Sequence, residues 1–206
     1  MEKTPWAFDR PITSPFAQPR GLAGRLAGRL MLLTNEQCEL VELLDVQPGD
    51  HVLEVGYGPG KLVRMLEPGP AARICGVDPS REMRDQAARP YRGDGRVDLR
   101  LGTADATGFD DGSFDKAVSV NNVALWPDLG AGVRELHRVL KPGGMAVIAW
   151  HGGSLPGRIA GKLRLAEDKL AMIQTAMGEL FEDVERHELK ALTAFAAPGP
   201  SRRQCP

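Results

Sequence analysis

Between His51 and Trp150 short apolar runs alternate with amphipathic ones, and this alternation restricts the fold more than any other feature of the chain. Strand-like runs fall at 51–55, 73–77, 97–101, 116–120 and 145–150. Helical runs separate them at 61–66, about 80–88 and 129–140, the last with Leu129, Val133, Leu136 and Leu140 at helical period. Ser80 and Asp128 stand where N-caps are expected, and Pro48-Gly49, Pro68-Gly69 and Lys141-Pro142-Gly143-Gly144 supply the stops. Strand–helix alternation predicts a parallel sheet covered on both faces and wound by right-handed crossovers. Such sheets take ligands beyond the carboxyl ends of their strands. A helix over 163–180 and two weaker strand candidates, 182–189 and 192–197, predict a terminal hairpin.

Ahead of this block, Pro5, Pro11, Pro15 and Pro19 make residues 1–19 an irregular arm. Trp6, Phe8, Ile12 and Phe16 are too apolar for a solvated tail and are expected to pack on the core or over a ligand. Residues 20–33 read as a helix, with Leu22, Leu26, Leu30 and Leu33 on one stripe and Arg25 and Arg29 one turn apart. The arginines, with Arg20, read first as a solvated face and second as a contact for a carboxylate, phosphate or lipid headgroup. Thr34 with Gln37 has the form of a capping box opening the next helix. The chain is therefore divided at 1–47, an arm and helices placed as a substrate lid, and 48–206, the ligand-binding α/β domain.

Lys plus Arg number 26 and Asp plus Glu 27, a balance that offers no long-range field to nucleic acid. Cys38, Cys75 and Cys205 are far apart and form no C-x-x-C pair, so neither a disulfide framework nor a metal site is expected, and a reducing cytoplasm suits them. No apolar run approaches the roughly 20 residues of a membrane span, so stable membrane insertion is not expected.

The chemistry concentrates after the strands. Glu54-Val55-Gly56-Tyr57-Gly58-Pro59-Gly60 follows the first, and its glycines allow the backbone to lie against a ligand at a helix start. The spacing is G-x-G-x-G, with Lys61 where a dinucleotide fingerprint has its third glycine, which disfavours a nicotinamide oxidoreductase. The second strand ends at Val77-Asp78-Pro79, where a carboxylate can accept both ribose hydroxyls or simply open a helix. Gly102-Thr103-Ala104-Asp105 follows the third strand, with Asp105 either an acceptor for an adenine amino group or a solvated acid.

Taken in order, VLEVGYGPG, CGVDPS, GTADATGFDDGSFDKAVSV and LHRVLKPGGMAVIAW resemble the class I S-adenosylmethionine-dependent methyltransferases, in particular their small-molecule, quinone-biosynthesis-like branch. The resemblance spans Val52 to Trp150. It implies a Rossmann-like, doubly wound, mostly parallel sheet of seven strands with an antiparallel C-terminal hairpin. It also implies S-adenosyl-L-methionine as cofactor, S-adenosyl-L-homocysteine as product and a small-molecule acceptor methylated on oxygen, nitrogen or carbon. By the same resemblance Gly56, Gly58 and Gly60 approach the methionine part of the cofactor and Glu54 orders that loop. Asp78 holds the ribose, Pro79 and Met83 lie near the adenine, Ala104 and Asp105 read its edge, and Asn121 lies near the methionine end. Tyr57 and the pair Asn121-Asn122 depart from the usual family residues and are expected to reshape the transfer site. Trp6, Phe16, Asn122 and Trp126 are the candidates for the acceptor wall. A general base is needed only where the acceptor loses a proton, and His151, after the fifth strand, is the candidate. A homodimer completing the site, and a protein that binds the cofactor without transferring methyl groups, are the alternatives to a self-sufficient enzyme.

Overall fold

The computed structural model describes residues 4–8, 21–34, 36–155 and 160–198. Seven strands form one sheet: β1 (His51–Val55), β2 (Arg73–Asp78), β3 (Val97–Leu101), β4 (Phe114–Val120), β5 (Leu140–His151), β6 (Glu185–Glu188) and β7 (Leu192–Pro198). Their order is β3-β2-β1-β4-β5-β7-β6. The first five pair in parallel, while β7 inserts antiparallel between β5 and β6. This is the Rossmann-like sheet with an antiparallel end.

Among the described residues the α-helices are α1 (Gly21–Thr34), which packs on α4, and α2 (Cys38–Leu44), α3 (Lys61–Leu66), α4 (Arg81–Ala88), α5 (Leu129–Val139) and α6 (Glu167–Gly178), which cover the sheet. Side chains alternate across each strand, which splits the core in two. Leu53, Cys75, Ala117 and Ile148 face Val133 and Leu136 of α5 and Leu170 and Ile173 of α6. Val52, Ile74, Val118 and Val147 face Leu40 and Leu44 of α2, Leu62 and Leu66 of α3, and Ala87 of α4. Both faces being covered, the central strands are apolar on both sides, as a parallel sheet requires.

The expected N-caps form: Asp128 accepts from the Ala131 N–H at 2.8 Å and Ser80 from the Met83 N–H at 3.3 Å. Other boundaries move. The capping box at Thr34 does not form, because α1 runs through Thr34 and α2 starts at Cys38 after Gln37, whose side chain makes no cap bond. The α1 end is held instead by Lys61, whose Nζ donates to the Leu32 carbonyl at 2.8 Å. β5 begins directly at Leu140, and the offset of its proline–glycine stretch is absorbed by a register shift: Phe114 opposes Leu140, but Lys116 opposes Met145. The helix expected over 163–180 opens only at Glu167, since the Leu163 carbonyl is taken by the Trp150 indole N–H at 2.7 Å in a preceding short turn.

The loop between β3 and β4 is pinned by a buried acid. Glu135 of α5 accepts from the Thr107 N–H at 2.8 Å and hydroxyl at 2.6 Å, and from Arg138 at 2.7 and 2.8 Å. Burial alone would raise its pKa, but the Arg138 and Thr107 bonds outweigh burial and bring it down to about 2. Its stabilisation is therefore complete above the ordinary value of 4.5 and is lost as pH falls toward 2. We expect Glu135→Gln to cost about 1.5–3 kcal/mol at pH 7. Denaturant unfolding at a series of pH values checks this, and the gap to the native chain should close on acidification.

Candidate functional site

The strand order reverses between β1 and β4, and the crevice opens there, beyond the carboxyl ends of the strands. The turn after β1 passes through Gly56, Gly58 and Gly60, all with positive φ. Gly56 has a further reason to lack a side chain: a Cβ there would lie 2.1 Å from Cγ of Asn122. Gly58 has open space above it, with the Met31 methyl of α1 at 3.7 Å from the place of a Cβ. Gly60 is the base of the turn, pressed on Ala87 of α4.

One carboxylate ties this turn to the neighbouring strand. Asp78, at the end of β2, accepts from the Gly58 N–H at 2.9 Å through Oδ2 and from the Ser80 N–H at 2.8 Å through Oδ1. Each oxygen keeps a lone pair for a ligand. Burial pushes the Asp78 pKa up to about 6, against the lowering effect of those two N–H groups. Glu54, on the same face of β1, is pushed up to about 8, first by burial and then by the charge of Asp78.

The cleft is walled by Glu54, Gly56, Tyr57, Gly58, Asp78, Pro79, Met83, Asn121 and Asn122, with Met31 of α1 and Gln37 completing it. Among the described residues four buried side-chain atoms lack a hydrogen-bond partner: Gln37 Oε1, Glu54 Oε2, Asn121 Oδ1 and Ser119 Oγ. The first three belong to residues of this one cleft. Buried acceptors are costly when left unpaired, so three together call for a ligand that brings donors. Asn121 also holds a left-handed backbone, φ 54°, fixed by its N–H to the Ala149 carbonyl at 2.9 Å. Lys61 lines the cleft as well, but its ammonium is directed to Leu32.

Several expected residues are not part of the cleft wall itself. Ala104 is buried in the core, and Asp105 is exposed on the loop after β3, whose Gly102 N–H donates to the Asp78 carbonyl at 3.3 Å. Trp126 is 2% exposed, in the core beneath Asn122, whose Oδ1 takes its indole N–H. Trp6 packs against that same core, donating its indole N–H to the Val123 carbonyl at 2.7 Å. Both indoles are thus drawn below the cleft by buried carbonyl acceptors rather than lining it. Phe16 lies outside the described residues. His151 ends β5 half-buried, outside the cleft wall, with its ring 5.5 Å from that of Trp150; burial lowers its pKa to about 4. Tyr57 does not crowd the transfer side: its ring lies across Gly76 of β2, where a Cβ would stand 2.6 Å from it, and its hydroxyl donates to the Arg100 carbonyl at 3.0 Å. Gln37 and Met31 are members that sequence reasoning missed. Gln37 carried a signal, a polar residue just before an apolar helix, that capping explained equally well.

Comparison with known proteins follows the same segment. A model described as a methyltransferase domain matches residues 53–148. The methyltransferase YdaC of Bacillus subtilis is 35% identical over 126 residues, covering 60% of this chain and 69% of that one. The demethylmenaquinone methyltransferase of Chlorobaculum tepidum is 37% identical over 97 residues, 47% of this chain but only 39% of that protein. Among solved structures, phosphoethanolamine N-methyltransferase 2 of Haemonchus contortus, in complex with phosphomonomethylethanolamine and S-adenosylhomocysteine, aligns with TM-score 0.69 at 16% identity over 92% of this chain and 61% of that one. The chain, whose glycine turn is locked to Asp78 at the strand-order reversal and which is 35% identical to YdaC over 69% of that protein's length, belongs to the class I S-adenosylmethionine-dependent methyltransferases.

Proposed function

We propose that this methyltransferase moves the methyl group of S-adenosylmethionine to an oxygen, nitrogen or carbon of a small-molecule acceptor. The observation that carries the assignment of the cleft is its set of three unpartnered acceptors, Gln37, Glu54 and Asn121, beside a carboxylate with free lone pairs. An amino-acid ammonium offers three N–H donors to the first set, and ribose hydroxyls offer donors to Asp78. The cofactor supplies an already electrophilic methyl sulfonium, so the protein's work is alignment and exclusion of water.

In this reading Gly56 and Gly58 lie against the methionine part, with Gly60 shaping the turn. Pro79 and Met83 flank the adenine, and Ala104 and Asp105 reach its edge from the loop after β3. Segment 1–47 acts as the lid, with Met31 of α1 over the glycine turn, and Trp6 and Trp126 act from below by holding Asn122 in place. Where the acceptor loses a proton, His151, neutral above about pH 4, is the proposed base. The small-molecule class is supported by the quinone-biosynthesis relatives; since this chain spans well under half of them, their substrates are not transferred to it.

Two measurements test the cleft assignment. Calorimetry is expected to show S-adenosylmethionine and S-adenosylhomocysteine binding, weakened about tenfold or more by Asp78→Asn, as the loss of charged hydrogen bonds implies. Unchanged affinity in a folded variant moves the ribose elsewhere.

The second measurement follows the proton on Glu54. With its pKa raised to about 8, Glu54 is protonated at pH 7, and an ammonium ligand favours its ionised form. Binding should therefore release nearly one proton at pH 7, and affinity should rise from pH 6 to about 8, above which the ligand's own amine loses its charge. Titration in buffers of different ionisation enthalpy measures the release. Glu54→Gln should abolish it, and an unchanged release in that variant would place the ammonium away from Glu54.

A further inference from the structure

Helix α1 presents Leu22, Leu26 and Leu30 outward, while Met31 turns to the cleft. The face it turns to the protein is Gly24, Ala27 and Gly28, all buried. Gly28 packs so tightly on α4 that a Cβ would lie 2.9 Å from the Met83 methyl. Leu22, Leu26 and Leu30 are instead 83%, 69% and 45% exposed. They stand one above another at four-residue spacing, a contiguous apolar stripe rather than scattered surface residues. Arg25 and Arg29 flank the stripe, both exposed, and α1 contains no acid.

The helix beside it extends this character. Arg81 of α4 and Arg89 just past its end are exposed. The two acids of α4 are engaged within the protein: Glu82 accepts from the Gly21 N–H at 2.9 Å, fixing the start of α1, Asp85 holds Arg84 at 2.8 and 3.1 Å, and both feel the charge of Arg25, which leaves Arg29, Arg81 and Arg89 in excess on this flank. In a chain of net charge −1 this flank is locally cationic.

We propose that the outer face of α1 docks on an anionic lipid surface, with Leu22, Leu26 and Leu30 entering the headgroup–acyl boundary and Arg25 and Arg29 meeting lipid phosphates. A surface helix with a leucine stripe bordered by arginine has the character of an interfacial element, and each cation near an anionic leaflet adds to the attraction. Fourteen residues are too few to cross a bilayer, and no described helix is long and apolar enough to do so, so α1 lies on the surface. A second copy of the chain fits this face poorly. Two such helices would set arginine against arginine, with no acid on either to answer them. Nucleic acid would take the arginines but leave the leucines in water.

Docking in this way sets the cleft beside the lipid, because Met31 of the same helix covers the glycine turn. An acceptor dissolved in the bilayer would then reach the site without crossing water; that consequence rests on the methyl-transfer reading, whereas the docking does not.

The test uses the full chain in sedimentation with vesicles of phosphatidylcholine alone and of phosphatidylcholine mixed with phosphatidylglycerol. Binding to the mixed vesicles only, released by raised salt, is expected. Leu26→Asp, and Arg25→Glu with Arg29→Glu, should each lower the vesicle partition about tenfold or more. Both variants should leave S-adenosylhomocysteine affinity unchanged in calorimetry, which shows that fold and cleft are intact. No binding to the mixed vesicles, equal binding to both kinds, or variants that partition like the native chain would overturn the proposal. So would a dimer in sedimentation velocity without lipid that Leu26→Asp dissociates, since that outcome assigns the face to a second copy.

Discussion

The cleft depends on one buried carboxylate holding two backbone N–H groups from neighbouring segments. Asp78 reaches from the end of β2 to Gly58, in the turn after β1, and to Ser80, at the start of α4. Apart from that bridge, the turn is tied to β2 by the Gly56 N–H, which donates to the Val77 carbonyl at 2.8 Å. With the bridge, the two strand ends, the turn and the helix start form a single rigid lip. The site lies where it does because the chain leaves β1 for β2 on one side and later lays β4 on the other, so this is where the strand ends part. Burying the acid is costly, and the two donated N–H groups offset part of that cost.

Much of this was legible in the sequence. Helix starts at Ser80 and Asp128 depend on residues a few places apart, so a local pattern suffices to find them. The glycine turn and Asp78 are likewise read from short motifs at strand ends. What stayed hidden depends on which surface an element finds. The stripe Leu22, Leu26, Leu30 has helical period, but period alone says that a helix has two faces, not which one is buried. Here close approach to Met83 selects the glycines, and the leucines are left outside. Gln37 shows a different limit: the same residue type in the same place can cap a helix or enter a cleft, and only the fold decides.

The aromatic residues of the arm and the loop after β4 teach a related lesson. An indole in a loop near a ligand site invites the reading of a substrate wall. Both indoles carry an N–H, however, and a buried N–H must find an acceptor. Trp6 finds the Val123 carbonyl, Trp126 finds Asn122, and the Trp6 N–H binds the Trp126 carbonyl at 3.1 Å. The result is a continuous path from the arm through Trp126 to Asn122, whose side chain fills the space left by the missing Cβ of Gly56. Residues 4–8 are thereby built in beneath the site.

The Tyr57 ring over Gly76 has a consequence for how such sequences can diverge. The phenol occupies the volume that a side chain at position 76 of β2 would need, and it is held there by its bond to the Arg100 carbonyl on β3. Positions 57 and 76 therefore share one space. A homologue that keeps the tyrosine is bound to glycine on its second strand, whereas a smaller residue in the glycine turn removes the tightest of the contacts a Cβ there would make, leaving those to Leu99 at 3.0 Å and the Glu54 carbonyl at 3.2 Å. A side chain at position 76 is blocked while the tyrosine remains, so change at 57 is expected to precede change at 76 across the lineage.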